Sequence, residues 1–349
     1  MNLPAITALA TGVPETRYSQ REIFDYMESV FERKNSARAI FERAGVDFRH
    51  MVVDEAFYGQ EQRTGARNER YLAHAVPLGE ATIRRCLASA RLDPTAVTDF
   101  LVVSCTGLDI PGLDLRLAAR LGMRPELRRT CVLGMGCYAA FPALLRASEA
   151  VAQRAGRTAL VLALELCSLH WQAEDSLENI VVSALFADGA AAALIQEAPS
   201  SPNGTGPRLL DSATFCDYST SEHMAFHVTD YGFRMRLSAY VPEILAANIE
   251  DFVDGLLGRN DLRRGDVSFW GIHPGGSKIL DSIQARLGLT EVQMDYSRAV
   301  LRRYGNMSSP TILFVLEDIQ CRGQPAPGDY GVLLAFGPGL TMESALIQW

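Results

Sequence analysis

The run TALVLALEL at 158–166 would place apolar side chains on both faces of any strand it forms. DFLVVSCTG at 99–107 and RTCVLGMGC at 129–137 are of the same kind, with the run LRLAARLGM at 115–123 and a helix from Cys137 between them. A strand that avoids water on both faces must be covered on both. The alternation therefore predicts an α/β fold with helices on either side of the sheet. One of these helices is explicit, because Ile83, Cys86, Leu87 and Ala90 recur at i, i+3, i+4 and i+7 while Arg84, Arg85 and Arg91 take the opposite side.

The pattern breaks at QEAPSSPNGTGPR, residues 196–208, and then recurs. LVVSCTG has a counterpart in VSFWGIHPGG at 267–276, and LFADGAAAALIQ at 185–196 has one in GVLLAFGPGLTMESALIQ at 331–348. Two α/β halves, 1–200 and 209–349, joined by a linker at 196–208, are expected. At 349 residues and 48% hydrophobic the chain is long enough for two domain-sized cores.

Several function classes fall away. The start MNLPAITALATGVPETRYSQ has no basic leader region, and no run of about 18 apolar residues occurs, so a cytoplasmic protein is expected. Seven scattered cysteines without a C-x-x-C pair argue for reduced thiols rather than a disulfide framework or structural zinc. A net charge of -8 gives no basic field for nucleic acid or an acidic membrane. His223 and His227 stand four apart, but no third metal ligand is evident. Nor is there a G-x-x-x-x-G-K-[ST] loop for a nucleotide cofactor.

What remains is a thiol in a singular place. In VLGMGCYAAFPALLRA, residues 132–147, two glycines let the chain turn from strand to helix just before Cys137. A thiol there feels the positive end of the helix dipole, and a lowered pKa is expected. His273 in GIHPGG stands at a turn where a strand ends, and Asn306 in YGNMSSP precedes an apolar helix that admits Pro310 only in its first turn. A core cysteine, a structural histidine and a helix-capping asparagine are the plain alternatives. A thiolate, an imidazole and an amide donor together form a set for acyl-thioester chemistry.

GMGC, HPGG, YGNMSS and FGPGLTME occur in the order and spacing of the type III polyketide synthases, the chalcone synthase-like family. CTGLDIPGLD at 105–114 and ALFADGAAAALI at 184–195 resemble that family as well, and the resemblance spans essentially the whole chain. The tail from Pro327 is most similar to the bacterial members, including the dihydroxyphenylacetyl-CoA synthases of glycopeptide antibiotic pathways.

The resemblance implies a thiolase-type fold of two duplicated halves and a homodimer. It implies an acyltransferase that condenses malonyl-CoA onto an acyl-CoA starter without a further cofactor. Carried over, Cys137 matches the nucleophile, His273 its imidazole partner, Asn306 the amide donor and Phe186 the aromatic beside the site. Met235 stands where plant enzymes carry a second phenylalanine. Cys105, Ile110 and Cys167 stand where they carry threonine, methionine and threonine, with Ile110 reaching into the partner's cavity. Of the basic residues near the N-terminus that bind CoA in the family, only Arg43 has a counterpart.

Other readings differ by small features. Ketoacyl-carrier-protein synthase III shares the fold and the Cys, His and Asn types, but YGNMSS and FGPGLTME favour the polyketide synthases. Thiolases need a second cysteine in the C-terminal glycine loop, which AFGPGLTM lacks. A papain-like hydrolase would carry C-G-[SA]-C-[WY], which is absent. A catalytically dead, partner-binding relative would be expected to have lost one of the four site residues.

Overall fold

The computed structural model describes residues 4–172, 174–198, 206–238 and 240–349. Among them, the strands of the first half are β1 (Pro4–Gly12), β2 (Arg17–Ser19), β3 (Phe48–His50), β4 (Asp99–Val103), β5 (Arg128–Val132), β6 (Thr158–Leu166) and β7 (Asp188–Glu197). Those of the second are β8 (Arg208–Cys216), β9 (Met224–Thr229), β10 (Gly232–Leu237), β11 (Val267–Ile272), β12 (Tyr330–Gly337) and β13 (Thr341–Gln348). Nine of them form one mixed sheet in the order β11-β12-β13-β8-β1-β7-β6-β4-β5.

The expected repeat is visible in the pairing. In the first half β1 is antiparallel to β7, β7 antiparallel to β6, and β6 parallel to β4. In the second, β8 is antiparallel to β13, β13 antiparallel to β12, and β12 parallel to β11. The two series meet where Ala5 of β1 faces Arg208 of β8. Of the expected linker, residues 199–205 lie outside those described.

β6 is buried along its whole length, as its two-faced apolar sequence requires. β5 differs: it is the end strand of the sheet, and Arg128 to Cys131 are exposed. Polar residues surround its short apolar portion, which suits an edge.

Two helices occupy the interior. Ala140–Gln153 turns Ala140, Ala143 and Ala147 inward against the alanines of β7, and these small side chains permit close approach. Thr311–Asp318 is apolar nearly all round and buried on every side but one, as such a helix must be. Residues of both halves, including Val161, Ala193, Leu313, Val315 and Leu333, belong to one core cluster around these helices. Cys137 precedes the first helix and Asn306 the second. Packing the two helices into a common core thus carries segments far apart in sequence to one place.

Candidate active site

After β5 the chain turns through Leu133 to Gly136. Gly136 has φ +71, and a Cβ there would lie 2.7 Å from Cδ of Pro338, so the FGPG loop presses on a backbone that only glycine permits. Cys137 follows in a short 3-10 turn, Gly136–Tyr138, and is 4% exposed.

Its partners come from the other half. Ser308 Oγ donates a hydrogen bond to Cys137 Sγ at 3.5 Å, and the Asn306 side chain also acts to lower the thiol's pKa. Asn306 Oδ1 accepts from the Ser308 backbone N–H at 2.8 Å, which leaves its Nδ2 to donate, and one contact runs to the Gly275 carbonyl at 3.5 Å. The Asn306 backbone is pinned as firmly. It pairs with Phe186 in an isolated parallel bridge, donating to Leu185 O at 2.8 Å while its carbonyl accepts from Ala187 N at 2.9 Å. The buried guanidinium of Arg49 donates to Phe186 O at 3.0 Å from the other side.

His273 ends β11, its N–H donating to Leu334 O at 2.8 Å. It is 1% exposed, so the turn of Pro274, Gly275 and Gly276 buries the imidazole rather than presenting it. Among the described residues neither ring nitrogen has a hydrogen-bond partner, so thiol and imidazole are not bonded to one another. The structure brings Cys137, Asn306 and Ser308 into contact, and joins Asn306 to the turn that follows His273.

The electrostatics correct the expectation of a dipole-lowered thiol. Burial pushes Cys137 up to about 11, outweighing the lowering by Ser308 and Asn306. Burial likewise pushes His273 down to about 3. Each group taken alone is neutral near pH 7. Transfer of the thiol proton to the imidazole therefore needs the two opposite charges to form together and stabilise one another.

Glu165, at the end of β6, is the buried acid beneath the site, and nothing in the sequence pattern singled it out. It accepts from Ser309 Oγ at 2.8 Å, Thr106 Oγ1 at 2.7 Å and the Cys105 N–H at 2.9 Å. Burial raises it to about 7 despite these bonds. Its charge raises Cys137 further, so the protonated form favours the thiolate.

Beside the thiol lies a cavity of about 30 Å³ lined by Cys105, Cys167, Phe186, Met235 and Ser308 among others. Sequence reading missed Phe226, Phe233 and His170 in this wall. Two were within reach: Phe233 lies two residues before Met235 on β10, and Phe226 is the cross-strand partner of Met235 on β9. His170 is locked. One ring nitrogen lies 2.6 Å from Thr106 O, the other accepts from Phe233 N at 3.2 Å, and the ring stacks on Phe233 at 4.2 Å.

Arg43 lies elsewhere, in an outer cleft of about 750 Å³ that it shares with Leu185, Leu237 and Gly276. Leu185 and Leu237 face this cleft while their near neighbours Phe186 and Met235 face the cavity, so these segments form the partition between the two. Ile110 is 90% exposed and lines no cavity of its own chain among those described. His227 is on a strand and His223 in a 3-10 turn, so their spacing does not place them on one helix face.

The chain matches two sequence models of chalcone and stilbene synthases, the N-terminal domain over residues 3–199 and the C-terminal domain over 211–349. It is 32% identical to 1,3,6,8-tetrahydroxynaphthalene synthase of Streptomyces peucetius subsp. caesius, over 99% of this chain and 93% of that one. It is 33% identical to 3,5-dihydroxyphenylacetyl-CoA synthase of Amycolatopsis balhimycina, over 98% and 92%. Among solved structures, PKS-I from the brown alga Ectocarpus siliculosus superposes with a TM-score of 0.94 at 31% identity, covering 99% of this chain and 98% of that one. Tetrahydroxynaphthalene synthase from Streptomyces coelicolor A3(2) superposes with 0.93 at 28% identity, covering 99% of each.

Proposed function

Because the chain belongs to the chalcone and stilbene synthase family, whose members are type III polyketide synthases and therefore acyltransferases, we propose that Cys137, His273 and Asn306 carry that reaction here. The observation that carries this reading is the meeting of Cys137, Asn306 and Ser308, the last of which lines the inner cavity. Cys137 gives its proton to His273 and attacks the carbonyl of an acyl-CoA starter, so that a new thioester forms as the CoA thiolate leaves and takes up a proton. Malonyl-CoA then breaks its bond to carbon dioxide, and the electron pair left behind becomes an enolate whose oxygen accepts from His273 and Asn306. The carbanion attacks the Cys137 thioester, and the chain grows by two carbons as the thiolate departs. Repetition and cyclisation give a small aromatic polyketide or pyrone. Phe186 disfavours the malonyl carboxylate with an apolar face and so promotes its loss.

The starter we infer is small, malonyl or a short acyl group. A cavity of about 30 Å³ walled by Phe186, Phe226, Phe233 and the immobilised His170 favours a small group over a long chain. Cys105, Cys167 and Met235 shape the same wall, and no group beyond the CoA substrates is needed.

The functional unit is read as a homodimer. Leu108, Ile110 and Leu133 are 55%, 90% and 49% exposed next to the open edge of β5, an apolar surface that a second copy would cover. Ile110 would then enter the partner's site. Residues 1–200 and 209–349 serve as the two halves, each supplying part of the site. Among the described residues no helix is long and apolar enough to cross a membrane. CoA substrates and free thiols suit the reducing cytoplasm.

The test is mass spectrometry of products from malonyl-CoA alone and with acyl-CoA starters of rising length, beside Cys137→Ala. Products at starter mass plus two-carbon increments, lost in the variant, are expected. Equal silence of both proteins would overturn the reading.

A further inference from the structure

The helix Leu177–Leu185 ends where the site begins, and its last carbonyls must find donors outside the helix. Leu185 O takes the Asn306 N–H, which is one half of the bridge to Phe186. The Ser183 and Phe186 carbonyls both accept from Nη1 of Arg49, and Ala184 O accepts from Gln20 Nε2 at 2.8 Å. Gln20 Oε1 in turn accepts from Arg49 Nη2 at 2.7 Å. One guanidinium and one amide thus close the helix end on which Phe186 and Asn306 meet.

A cation in this place loses its hydration. Arg49 is fully buried, and among the described residues no carboxylate forms an ion pair with it. Asp188 attracts it from a distance, its own oxygens being taken by the Val52 N–H and by the N–H and hydroxyl of Ser168. Burial lowers the guanidinium to about 9, which leaves it charged at neutral pH. A buried charge held by carbonyls instead of an acid suits the negative end of a helix dipole. The chain also makes room for its stem. Gly305 has φ +71, and a Cβ there would lie 2.8 Å from Leu185 O and 2.9 Å from Arg49 Cγ. That glycine directly precedes Asn306, so Arg49 lies against one arm of the bridge and bonds the other.

We propose that Arg49 is a positioning residue for decarboxylation: braced by Gln20, it fixes the Phe186–Asn306 bridge in the register at which the Asn306 amide meets the enolate oxygen. The proposal rests on the condensing reading of Cys137, His273 and Asn306. Arg49 acts through two peptide groups rather than on the substrate. Acyl transfer to Cys137 draws on the thiol and the imidazole, so it depends less on this register than the loss of carbon dioxide does.

Two half-reactions separate positioning from packing. In Arg49→Gln, carbon dioxide release from malonyl-CoA falls about a hundredfold in kcat with KM little changed, as a small misplacement of a reacting group can cause. Acylation of Cys137 by a starter acyl-CoA, read by mass spectrometry of the intact protein, stays near the wild-type rate. Arg49→Lys keeps the charge without the planar fork and recovers part of the loss. Gln20→Leu leaves the cation in place and gives the same split to a smaller degree, and it decides the matter if Arg49→Gln does not fold. Carbon dioxide release at the wild-type rate in these variants would overturn the proposal, and so would an equal fall in both half-reactions. A wild type that releases no carbon dioxide sinks the condensing reading instead. The brace is then judged by crystal structures of wild type and Gln20→Leu, where a displaced Asn306 amide supports it and an unmoved one overturns it.

Discussion

Ser308 holds its hydroxyl 3.5 Å from Cys137 Sγ while its own backbone sits at φ +60, in the left-handed region that non-glycine residues avoid. Strain at such a position is sustained only by its surroundings, here the bond from Ser308 N–H to Asn306 Oδ1. Ser308→Ala removes a donor to the thiolate at a cost of about 1.5 kcal/mol, roughly a tenfold loss in kcat/KM. Ser308→Gly loses the same bond but relieves the backbone, so its melting temperature should exceed that of Ser308→Ala by a few degrees.

The pairing of Cys137 with His273 is tested by alkylation. With the thiol alone pushed to about 11, inactivation by iodoacetamide at neutral pH requires the imidazole to receive its proton. The wild type should be alkylated with a midpoint well below 11, and His273→Ala should move that midpoint up to about 11. A wild-type midpoint already near 11 would show that the pair does not form.

Phe226→Ala removes a ring from the cavity wall beside Met235. Products of the variant should gain at least one two-carbon unit, or the variant should accept longer starters, as read by mass spectrometry. An unchanged product distribution would mean that some other wall sets the length.

Glu165 makes stability depend on pH. Its folded pKa of about 7 lies above the unfolded 4.5, so its stabilisation is complete below about 4.5 and lost as pH rises through about 7. The loss is of order 3 kcal/mol. His273 and His170, lowered to about 3 and about 4, act oppositely and lose stability as pH falls below 6.5. Thermal melts of Glu165→Gln against wild type isolate the first effect: the difference should favour the variant progressively from pH 4.5 to 7 and then level off.

Ile110→Glu places a charge in the exposed apolar surface beside β5. The proposed dimer should dissociate in this variant at concentrations where the wild type stays paired, by sedimentation. Unchanged mass would move the interface elsewhere.

Much of the fold was legible because its signals are local. Of the three two-faced apolar runs, two became the buried strands β4 and β6 and the third, at 129–137, became the largely exposed β5, while the matched strand-and-turn segments became β4 and β11. β5 shows the limit, since the sequence cannot say that this strand ends the sheet. At the site, Cys137, His273 and Asn306 were readable through turns and motifs. Ser308 was not singled out, because its contact with Cys137 spans 171 residues and exists only once two helices share a core. Glu165 sat unnoticed in an apolar strand, and the thiol's pKa was misjudged, for one reason: burial outweighs the dipole, and burial is a property of the packed chain.

The bridge between Phe186 and Asn306 has a consequence for anyone altering this catalyst. Phe186, proposed to shape the acyl chamber, and Asn306, proposed to steady the enolate, share one pair of backbone hydrogen bonds, with Arg49 braced behind them. Chamber size and decarboxylation rate are thus not independent dials. A side-chain exchange at 186 that leaves the backbone in place resizes the chamber alone, whereas any change that shifts that backbone retunes both at once.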